Sequence, residues 1–251
     1  MEKIVMKKFE LTTDSIKRNR VTLYRIKALI DFGDVKAGDL GGYVEKEENL
    51  SQYGNAWVSG DACVSGDARV YGDAWLSDNA WVYGNAEVFG NALVRGGALV
   101  YGNAWVSGDA RVYVNARVYD NAWVYGNAEV SGNALVRGDA RVYDNAWVHG
   151  NAEVSGNALV RGDAWVSDNA CVSGDARVYG DADYIYLKGF GSHNRSTTMF
   201  RAKGVNICVS CGCFSGTLEE FESKVKETHG SNKFAREYLA LVEAAKIHFE
   251  V

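Results

Sequence analysis

Alanine and branched aliphatic residues recur in a strict six-residue rhythm through the middle of the chain. A branched aliphatic residue stands at every sixth position from Val58 to Val178, at 21 positions that hold twenty valines and Leu76. Alanine stands two residues before each of them, from Ala56 to Ala176. Because side chains alternate across a strand, the alanine and the aliphatic residue share one face, and the residues flanking the aliphatic one point the other way.

Each hexad ends in residues that favour a turn. The unit reads Ala-x-Val-x-Gly-Asn/Asp, and glycine, asparagine and aspartate tolerate positive φ angles that penalise other residues. One hexad therefore predicts one short strand and one tight corner, and three successive hexads return the chain to its start as one coil. The sequence predicts a triangular parallel β-helix of about seven coils, stacked at about 4.8 Å into a rod roughly 34 Å long.

The hexad resembles the repeat of the bacterial hexapeptide-repeat family. In that family an inward aliphatic residue follows a small residue by two positions, as in AWVSGD at 56–61 and the hexads after it. The resemblance implies a left-handed parallel β-helix, a hand that the spacing alone does not give. The order of YRIKALIDFGDVKAGDLGGYV, the rod and SCGCFSGTLEEFE is similar to hexapeptide-repeat proteins of bacterial and phage genomes without an assigned function.

The repeat divides the chain into three predicted parts. Residues 1–55 are expected to form an N-terminal β cap, 56–183 the hexapeptide-repeat β-helix, and 184–251 a small α+β domain, so the fold class is mainly β. In the cap, MKKFEL and VTLYRIKALIDF predict the two strands of a hairpin, joined by TTDSIKRNR. We expect this cap to cover the first open strand edge of the rod.

The C-terminal part shows both strand and helix signals. YIYLKGF, STTMFRA and VNICVSC predict three strands. Thr217 and Glu220 form a capping-box pattern that opens a helix ending near Thr228, and a second helix is predicted over residues 233–248. We expect the apolar faces of both helices to pack on the sheet.

Charge and composition limit the classes of partner. Residues 51–183 contain 8 arginines, no lysine and 16 acidic residues, and an acidic rod is a poor binder of nucleic-acid phosphates. No apolar run approaches the length that a membrane-spanning helix needs, and the charged opening MEKIVMKKFE has no signal-peptide core, so we expect no membrane partner. The odd number of cysteines, five, favours reduced thiols and a cytoplasmic location.

Six of the seven tryptophans fall into predicted stacked pairs, because outward residues three hexads apart lie above one another. The pairs are Trp57 with Trp75, Trp105 with Trp123, and Trp147 with Trp165. Such stacking covers strand backbone and adds β-propensity, whereas exposed tryptophan is also typical of interfaces. Both interpretations stay open, and the second predicts a homo-oligomer or a protein partner.

Catalysis is not predicted from the rod. Many members of the hexapeptide-repeat family are acyltransferases, and the resemblance implies a catalytic histidine in a loop inserted between coils or near a subunit boundary. Residues 56–183 contain no insertion, and their one histidine, His149, is interpreted as a surface residue. We therefore assign no catalytic residue and no cofactor.

The segment GFGSHNRSTTMFR, residues 189–201, is the candidate ligand site. Ser192, His193, Asn194, Arg195 and Arg201 supply hydrogen-bond donors for an anion, and the aromatic residues nearby suit a ring. An ordinary polar turn between strands is the alternative interpretation.

The cysteines of the C-terminal part have a weaker metal pattern. Cys208, Cys211 and Cys213 read C-x-x-C-x-C, and three sulfurs with His193 or His229 would complete a zinc set of four. Cys208 alternates with apolar neighbours on a predicted strand, and there is no second CxxC. We therefore interpret these cysteines as thiols and predict no metal site.

The sequence favours a non-enzymatic interaction or scaffold protein, oligomeric, that binds a protein or a small anionic, nucleotide-like ligand. For a phage gene, sequestering a nucleotide signal of the host is the corresponding hypothesis. One alternative is an acyltransferase-like enzyme with a site between subunits, which leaves enzymatic activity open. Another is a structural spacer or filament.

Overall fold

The rod predicted from the hexads is present in full. The structure is a computed structural model that describes residues 6–251, so residues 1–5 of the charged opening stretch lie outside the described residues. Each hexad forms one strand of two residues. The rod strands are β4 (Trp57–Val58), β5 (Cys63–Val64), β6 (Arg69–Val70), β7 (Trp75–Leu76), β8 (Trp81–Val82), β9 (Glu87–Val88), β10 (Leu93–Val94), β11 (Leu99–Val100), β12 (Trp105–Val106), β13 (Arg111–Val112), β14 (Arg117–Val118), β15 (Trp123–Val124), β16 (Glu129–Val130), β17 (Leu135–Val136), β18 (Arg141–Val142), β19 (Trp147–Val148), β20 (Glu153–Val154), β21 (Leu159–Val160), β22 (Trp165–Val166), β23 (Cys171–Val172) and β24 (Arg177–Val178).

Each rod strand pairs in parallel with the strand three hexads later, as Trp57 does with Trp75. Three parallel sheets result, and each contains seven of the rod strands. The alanines and aliphatic residues of all hexads are buried in one continuous core, from Ala56 to Val178. This confirms the prediction of a parallel β-helix of about seven coils.

The corners of the rod are held by asparagine ladders. Asn85 donates a hydrogen bond through Nδ2 to Asn103 Oδ1 at 3.0 Å, and Asn103 donates in the same way to Asn121 at 3.0 Å. Asn121 then donates to Asp139 at 2.9 Å. A carboxylate accepts but does not donate, so an aspartate ends the ladder.

The N-terminal part extends one face of the rod. Strands β1 (Phe9–Arg18) and β2 (Val21–Ala28) form an antiparallel hairpin, and β3 (Leu40–Val44) pairs with β2 and, in parallel, with β5. The predicted hairpin is present, but TTDSIKRNR is not a loop. Most of it lies in β1, and only Asn19 and Arg20, both at positive φ, form the turn. A short 3-10 helix, Glu47–Asn49, follows.

The C-terminal part is an antiparallel sheet with two helices. A 3-10 helix, Asp181–Asp183, leads into strands β25 (Tyr184–Phe190), β26 (Arg195–Ala202), β27 (Val205–Cys211) and β28 (Phe214–Thr217). The helices are α1 (Leu218–His229), with the predicted capping box, and α2 (Lys233–Phe249). One face of the sheet packs on the helices, and the other packs on the rod through residues such as Phe200. In residues 6–251, no helix is long and apolar enough to cross a bilayer.

The N-terminal part supplies hydrogen-bond donors to the first coils of the rod. Rod N–H groups donate toward the following coil, as from Trp57 to the Ala74 carbonyl at 3.0 Å, so carbonyl groups of the first coils are left at this end. The donors that meet them are Lys8 Nζ to Ala56 at 2.8 Å, Tyr43 N to Ala62 at 2.9 Å, Glu45 N to Val64 at 3.0 Å, Asn49 Nδ2 to Ala68 at 2.9 Å and Ser51 N to Val70 at 2.9 Å. Buried carbonyl groups at the open end are thereby paired.

At the other end, the 3-10 helix and the C-terminal sheet do the converse and supply acceptors. The last coil leaves N–H groups at its end, and three oxygen atoms of side chains meet them. The bonds run from Trp165 N to Asp181 Oδ1, from Cys171 N to Thr198 Oγ1 and from Tyr179 N to Asp183 Oδ2, each at 2.9 Å. The two ends of the rod therefore carry caps of opposite hydrogen-bonding character.

Candidate functional site

A cavity of about 490 Å³ opens in the C-terminal part, between two turns of the sheet and the helices. The turn between β25 and β26 supplies Ser192 and His193, and β26 begins with Arg195 on the same rim. Helix α1 contributes Lys224 and His229. The volume lies in the range of small-molecule sites in proteins.

The rim of this cavity is basic. Arg195 lies over the turn at Gly212, where a Cβ atom would clash with its Nη1, and that glycine has a φ of +62°. The same guanidinium nitrogen donates to Cys213 Sγ at 3.9 Å, so most of its donors stay free for a ligand. Lys224 pairs with Glu227 at 2.9 Å, and that carboxylate lies outside the lining. Among the lining residues no carboxylate opposes an anion.

The walls are apolar and aromatic. Phe221 contacts Phe214 at 5.2 Å between ring centroids and Tyr238 edge-on at 5.6 Å. His229 lies beside the Tyr238 ring at 5.9 Å. Rings around a basic rim suit a ligand that combines a planar or apolar part with an anionic group.

Tyr238 is a neutral hydrogen-bond donor at the base of the cavity. Burial, with the nearby Cys211, raises the pKa of the Tyr238 hydroxyl to about 12. The hydroxyl donates to the Phe190 carbonyl at 3.4 Å and accepts a long contact from the Cys211 thiol at 3.9 Å. At neutral pH this group therefore adds no negative charge to the cavity.

The predicted ligand residues divide into two groups. Ser192, His193 and Arg195 line the cavity together. Asn194 does not line it, and its backbone, at a φ of +49°, forms the turn. Arg201 does not line the cavity.

Arg201 connects the rod end to the last helix. Its Nε pairs with Asp183 at 3.1 Å, and its Nη2 donates to the Phe249 carbonyl at 3.2 Å. The guanidinium also lies over the Phe249 ring at 5.3 Å. These contacts use its charge and its donors, so we expect Arg201 to hold the two parts of the chain together rather than to bind a ligand.

The three cysteines of the C-x-x-C-x-C segment do not converge. Cys208 packs toward the rod core, whereas Cys211 lies on the opposite face of β27, in the core with the helices, and Cys213 is exposed in the next turn. Burial raises the pKa of the Cys208 thiol. Across residues 6–251, no three His, Cys, Asp or Glu side chains are placed to share a metal ion.

Two of the three predicted tryptophan pairs are stacked. The rings of Trp105 and Trp123 lie 4.9 Å apart, and those of Trp147 and Trp165 lie 5.0 Å apart. The third pair is different. Trp57 is opposite Trp75 on the ladder but is only 2% exposed, because the N-terminal part covers it and Phe32 contacts its ring edge-on at 5.3 Å. Trp57 is therefore buried between the rod and the N-terminal part.

His149 packs against two tryptophans on the rod surface. Its ring lies 5.2 Å from Trp147 and 5.4 Å from Trp165, and its Nε2 accepts a hydrogen bond from the Trp165 indole. It does not line the cavity of the C-terminal part.

Several lining residues were not predicted as ligand residues. Phe221, Val225 and Tyr238 follow the apolar periodicity of the helices and were interpreted only as core positions, although they also form the walls. Lys224 and Thr228 lie on polar positions of α1. Lys224 lies four residues before Thr228 and Val225 lies three before it, and these are the spacings of neighbouring side chains on a helix surface.

Comparison with known proteins supports the rod. A sequence model of the family described as "YdcK Beta solenoid repeat" matches residues 62–78, 110–126 and 116–132. The Escherichia coli (strain K12) protein named "Uncharacterized acetyltransferase YdcK" is 44% identical over 50 residues, which cover 20% of this chain and 15% of that protein. The chain thus matches only a small part of this relative. It is a repeat-containing β-helix protein whose solenoid is similar to the YdcK β-solenoid repeat.

Proposed function

We propose that this chain is a non-enzymatic binding protein in which the cavity of the C-terminal part takes a small organic anion that carries a ring or another apolar group. The observation that carries the proposal is the combination of a basic rim at Arg195 and Lys224 with aromatic walls at Phe214, Phe221 and Tyr238. The rod then acts as a rigid support for this cavity. A nucleotide is one member of this ligand class, in line with the phage hypothesis.

Charge placement supports an anion rather than a cation. Two acidic side chains that contact residues at the cavity are engaged: Glu227 pairs with Lys224 at 2.9 Å, and Glu237 accepts from Gly191 N at 3.0 Å. Arg195 has the geometry for bidentate contacts to a phosphate or carboxylate. An anion in this cavity would therefore meet positive charge without an opposing carboxylate.

Phenyl phosphate tests the proposal because it joins the two chemical parts in one probe. Calorimetric titration should give tighter binding for phenyl phosphate than for inorganic phosphate or phenol alone. Arg195→Gln should weaken binding by about 10-fold or more, since a charge-assisted hydrogen bond contributes roughly 1.5–3 kcal/mol. Arg236→Gln is the matched control, because Arg236 is exposed on α2 and does not line the cavity. Equal affinity in both variants, or no binding at millimolar probe, would contradict the proposal.

We also propose a homo-oligomer in the cytoplasm, as expected from the sequence. Trp165, Trp105 and Trp123 are exposed by 47%, 37% and 36%, a large aromatic area for one rod. The five cysteines are free, as a reducing compartment requires. Native mass spectrometry of gently purified protein gives the oligomeric mass and any bound small molecule together.

An acyltransferase is the second candidate, favoured by two histidines in the cavity. The Nδ1 atom of His193 forms a hydrogen bond with Ser192 Oγ at 2.9 Å, and His229 lines the same cavity. The word acetyltransferase in the name of the Escherichia coli relative also motivates this test. Incubation with acetyl-coenzyme A and a panel of amines, followed by mass spectrometry, should show no transfer under the binding proposal. Turnover that is lost in His193→Asn would instead establish the enzyme.

A filament of stacked rods finds little support. Such stacking needs unpaired strand edges at both rod ends. The donors around Lys8 and Asn49 and the acceptors Asp181, Asp183 and Thr198 already meet edge groups there.

A further inference from the structure

One outward column of the rod is an aromatic ladder with a missing ring. Tyr71 and Phe89 stack at 4.9 Å with an interplanar angle of 1°, and Tyr125 and Tyr143 stack at 4.8 Å with an angle of 4°. These residues follow one another at intervals of three hexads, except that Ser107 occupies the level between Phe89 and Tyr125. A gap therefore separates two stacked pairs of parallel rings.

The neighbouring column shows what a complete ladder looks like. Tyr83, Tyr101 and Tyr119 lie in three successive coils, and both steps are 4.8 Å with interplanar angles of 2°. The coil spacing therefore allows three rings in continuous stacking. By the same spacing, a ring at the level of Ser107 would contact both Phe89 and Tyr125.

The gap is an open cavity. It has a volume of about 280 Å³ and is lined by Phe89, Trp105, Ser107, Trp123 and Tyr125. We call this cavity the Ser107 slot. Its small volume and its position between the Phe89 and Tyr125 rings suit one planar ring or a fused pair of rings.

Other serines in equivalent positions are covered by an indole. The Trp81 indole donates to Ser65 Oγ at 3.1 Å, and the Trp147 indole donates to Ser131 Oγ at 3.4 Å. In each case the tryptophan comes from the coil that follows the serine, at the same separation along the chain. Ser65 and Ser131 are only 4% and 6% exposed.

Trp123 has the same separation from Ser107 but does not cover it. Its ring stacks on Trp105 at 4.9 Å with an interplanar angle of 8° and stays 36% exposed. On its other side Trp123 meets the guanidinium of Arg141 at 5.0 Å. The Trp123 indole thus lines the slot without donating to Ser107, and the slot stays open.

Polar groups at the slot are available to a ligand. Within the described residues, the Ser107 hydroxyl and the indole N–H groups of Trp105 and Trp123 have no hydrogen-bond partner in the protein. No carboxylate lines the slot. A ring that carries a hydrogen-bond acceptor at its edge would satisfy a donor there as well as stack on two faces.

We propose that the Ser107 slot binds the planar heteroaromatic ring of a small molecule, inserted between Phe89 and Tyr125 as the missing member of the ladder. The site is separate from the cavity of the C-terminal part and does not depend on its ligand. Its selectivity is for a flat ring with an edge acceptor, since the rings above and below exclude a puckered one. Benzimidazole is a suitable probe, and cyclohexanol is the non-planar comparison.

The decisive variant is Ser107→Tyr, which supplies the missing ring from the protein itself. Saturation-transfer NMR and calorimetric titration should show benzimidazole binding to the unaltered protein and no response to cyclohexanol. Ser107→Tyr should weaken benzimidazole binding by about tenfold or more, because two aromatic faces are no longer available. The same variant should melt at an equal or higher temperature, because the filled ladder stacks continuously.

Ser77→Tyr is the matched control. Ser77 has the same outward position, but the residues three hexads before and after it, Ser59 and Arg95, offer no ring. This variant should bind benzimidazole as the unaltered protein does. Should Ser107→Tyr fail to fold, Phe89→Leu removes one wall and should weaken binding as well.

Three results would overturn the proposal. The first is unchanged binding in Ser107→Tyr. The second is no binding of benzimidazole to the unaltered protein at about 10 mM, which corresponds to only about 3 kcal/mol of binding free energy. The third is a dimer in analytical ultracentrifugation that Ser107→Tyr abolishes. The last result would assign the slot to an aromatic side chain of a second copy of this chain.

Discussion

The Lys8 ammonium group donates a hydrogen bond to the Ala56 carbonyl oxygen at 2.8 Å, beneath the first coil of the rod. The residue is only 2% exposed, and its Nζ lies 4.9 Å from the centre of the Phe32 ring. Burial lowers the pKa of Lys8 from 10.5 to about 8, and Asp73 opposes that shift in part. The end of the rod is thus closed by a buried ammonium group, and its desolvation destabilises the charged form in the folded protein.

Lys8 should make stability depend on pH. The unfolded chain keeps this amine protonated up to about pH 10.5, whereas the folded protein releases the proton near pH 8. Because the unfolded state binds more protons in that window, the free energy of unfolding should rise with pH there, by up to about 3 kcal/mol.

Urea unfolding of the unaltered protein and of Lys8→Met at several pH values from 7 to 10.5 isolates this effect. The difference between the two should grow in favour of the unaltered protein as pH rises. A difference that stays flat would show that Lys8 is not titrating in the folded state as expected.

Val114→Gly should stabilise the rod. Val114 has a φ of +66° at a corner where the other hexads have glycine or aspartate, and its side chain is 48% exposed. A β-branched residue in the left-handed region is strained, while glycine costs more chain entropy, so we expect a net gain of about 0.5–1 kcal/mol.

The reciprocal variant is Gly126→Val, at a corner with a φ of +70° where a Cβ atom would lie 3.0 Å from Asp144 N. It should destabilise the protein in thermal unfolding. Loss of stability in Val114→Gly would mean that the exposed valine makes a packing contribution larger than its strain.

Asn103→Asp should interrupt an asparagine ladder. Asn103 accepts from Asn85 and donates to Asn121, each at 3.0 Å, and an aspartate cannot make the second bond. We expect a loss of about 1 kcal/mol in urea unfolding. Asp139→Asn, at the end of the same ladder, keeps an acceptor for Asn121 and should cost nothing, so equal losses in both variants would argue against the ladder as the cause.

Arg201→Ala separates a structural role from ligand binding. Loss of the contacts to Asp183 and Phe249 should speed hydrogen exchange at the junction of the rod and α2 and lower stability by about 1–2 kcal/mol. Affinity for phenyl phosphate should not change. A fall in affinity as large as that of Arg195→Gln would restore Arg201 to the ligand site.

The rod was predictable from the sequence because its determinants are local and repeated. The alanine and valine positions indicate the core face of each strand, and glycine followed by asparagine or aspartate indicates each corner. One hexad is therefore sufficient to predict the structure of the others. The spacing of three hexads between outward residues also predicted the stacking of Trp105 on Trp123.

The sites were less predictable because their residues come from distant segments. Arg195 and Arg201 lie six residues apart with similar chemistry, but Asp183 and Phe249 engage only Arg201. Trp57 fits the outward column, yet the N-terminal part, which has no repeat, covers it. Whether the Trp123 indole covers Ser107, as indoles cover Ser65 and Ser131, depends on a rotamer that no spacing specifies.

Because the rod has three sides, the number of hexads sets the direction in which the C-terminal cavity faces around the rod axis. Three added hexads lengthen the rod by one coil and leave the C-terminal cavity above the same side, whereas one added hexad swings it by about 120° around the axis. Residues 119–142 and 143–166 are near copies offset by four hexads, so duplicating such a block changes both reach and direction. Relatives that differ by single hexads would therefore aim the same cavity toward different neighbours.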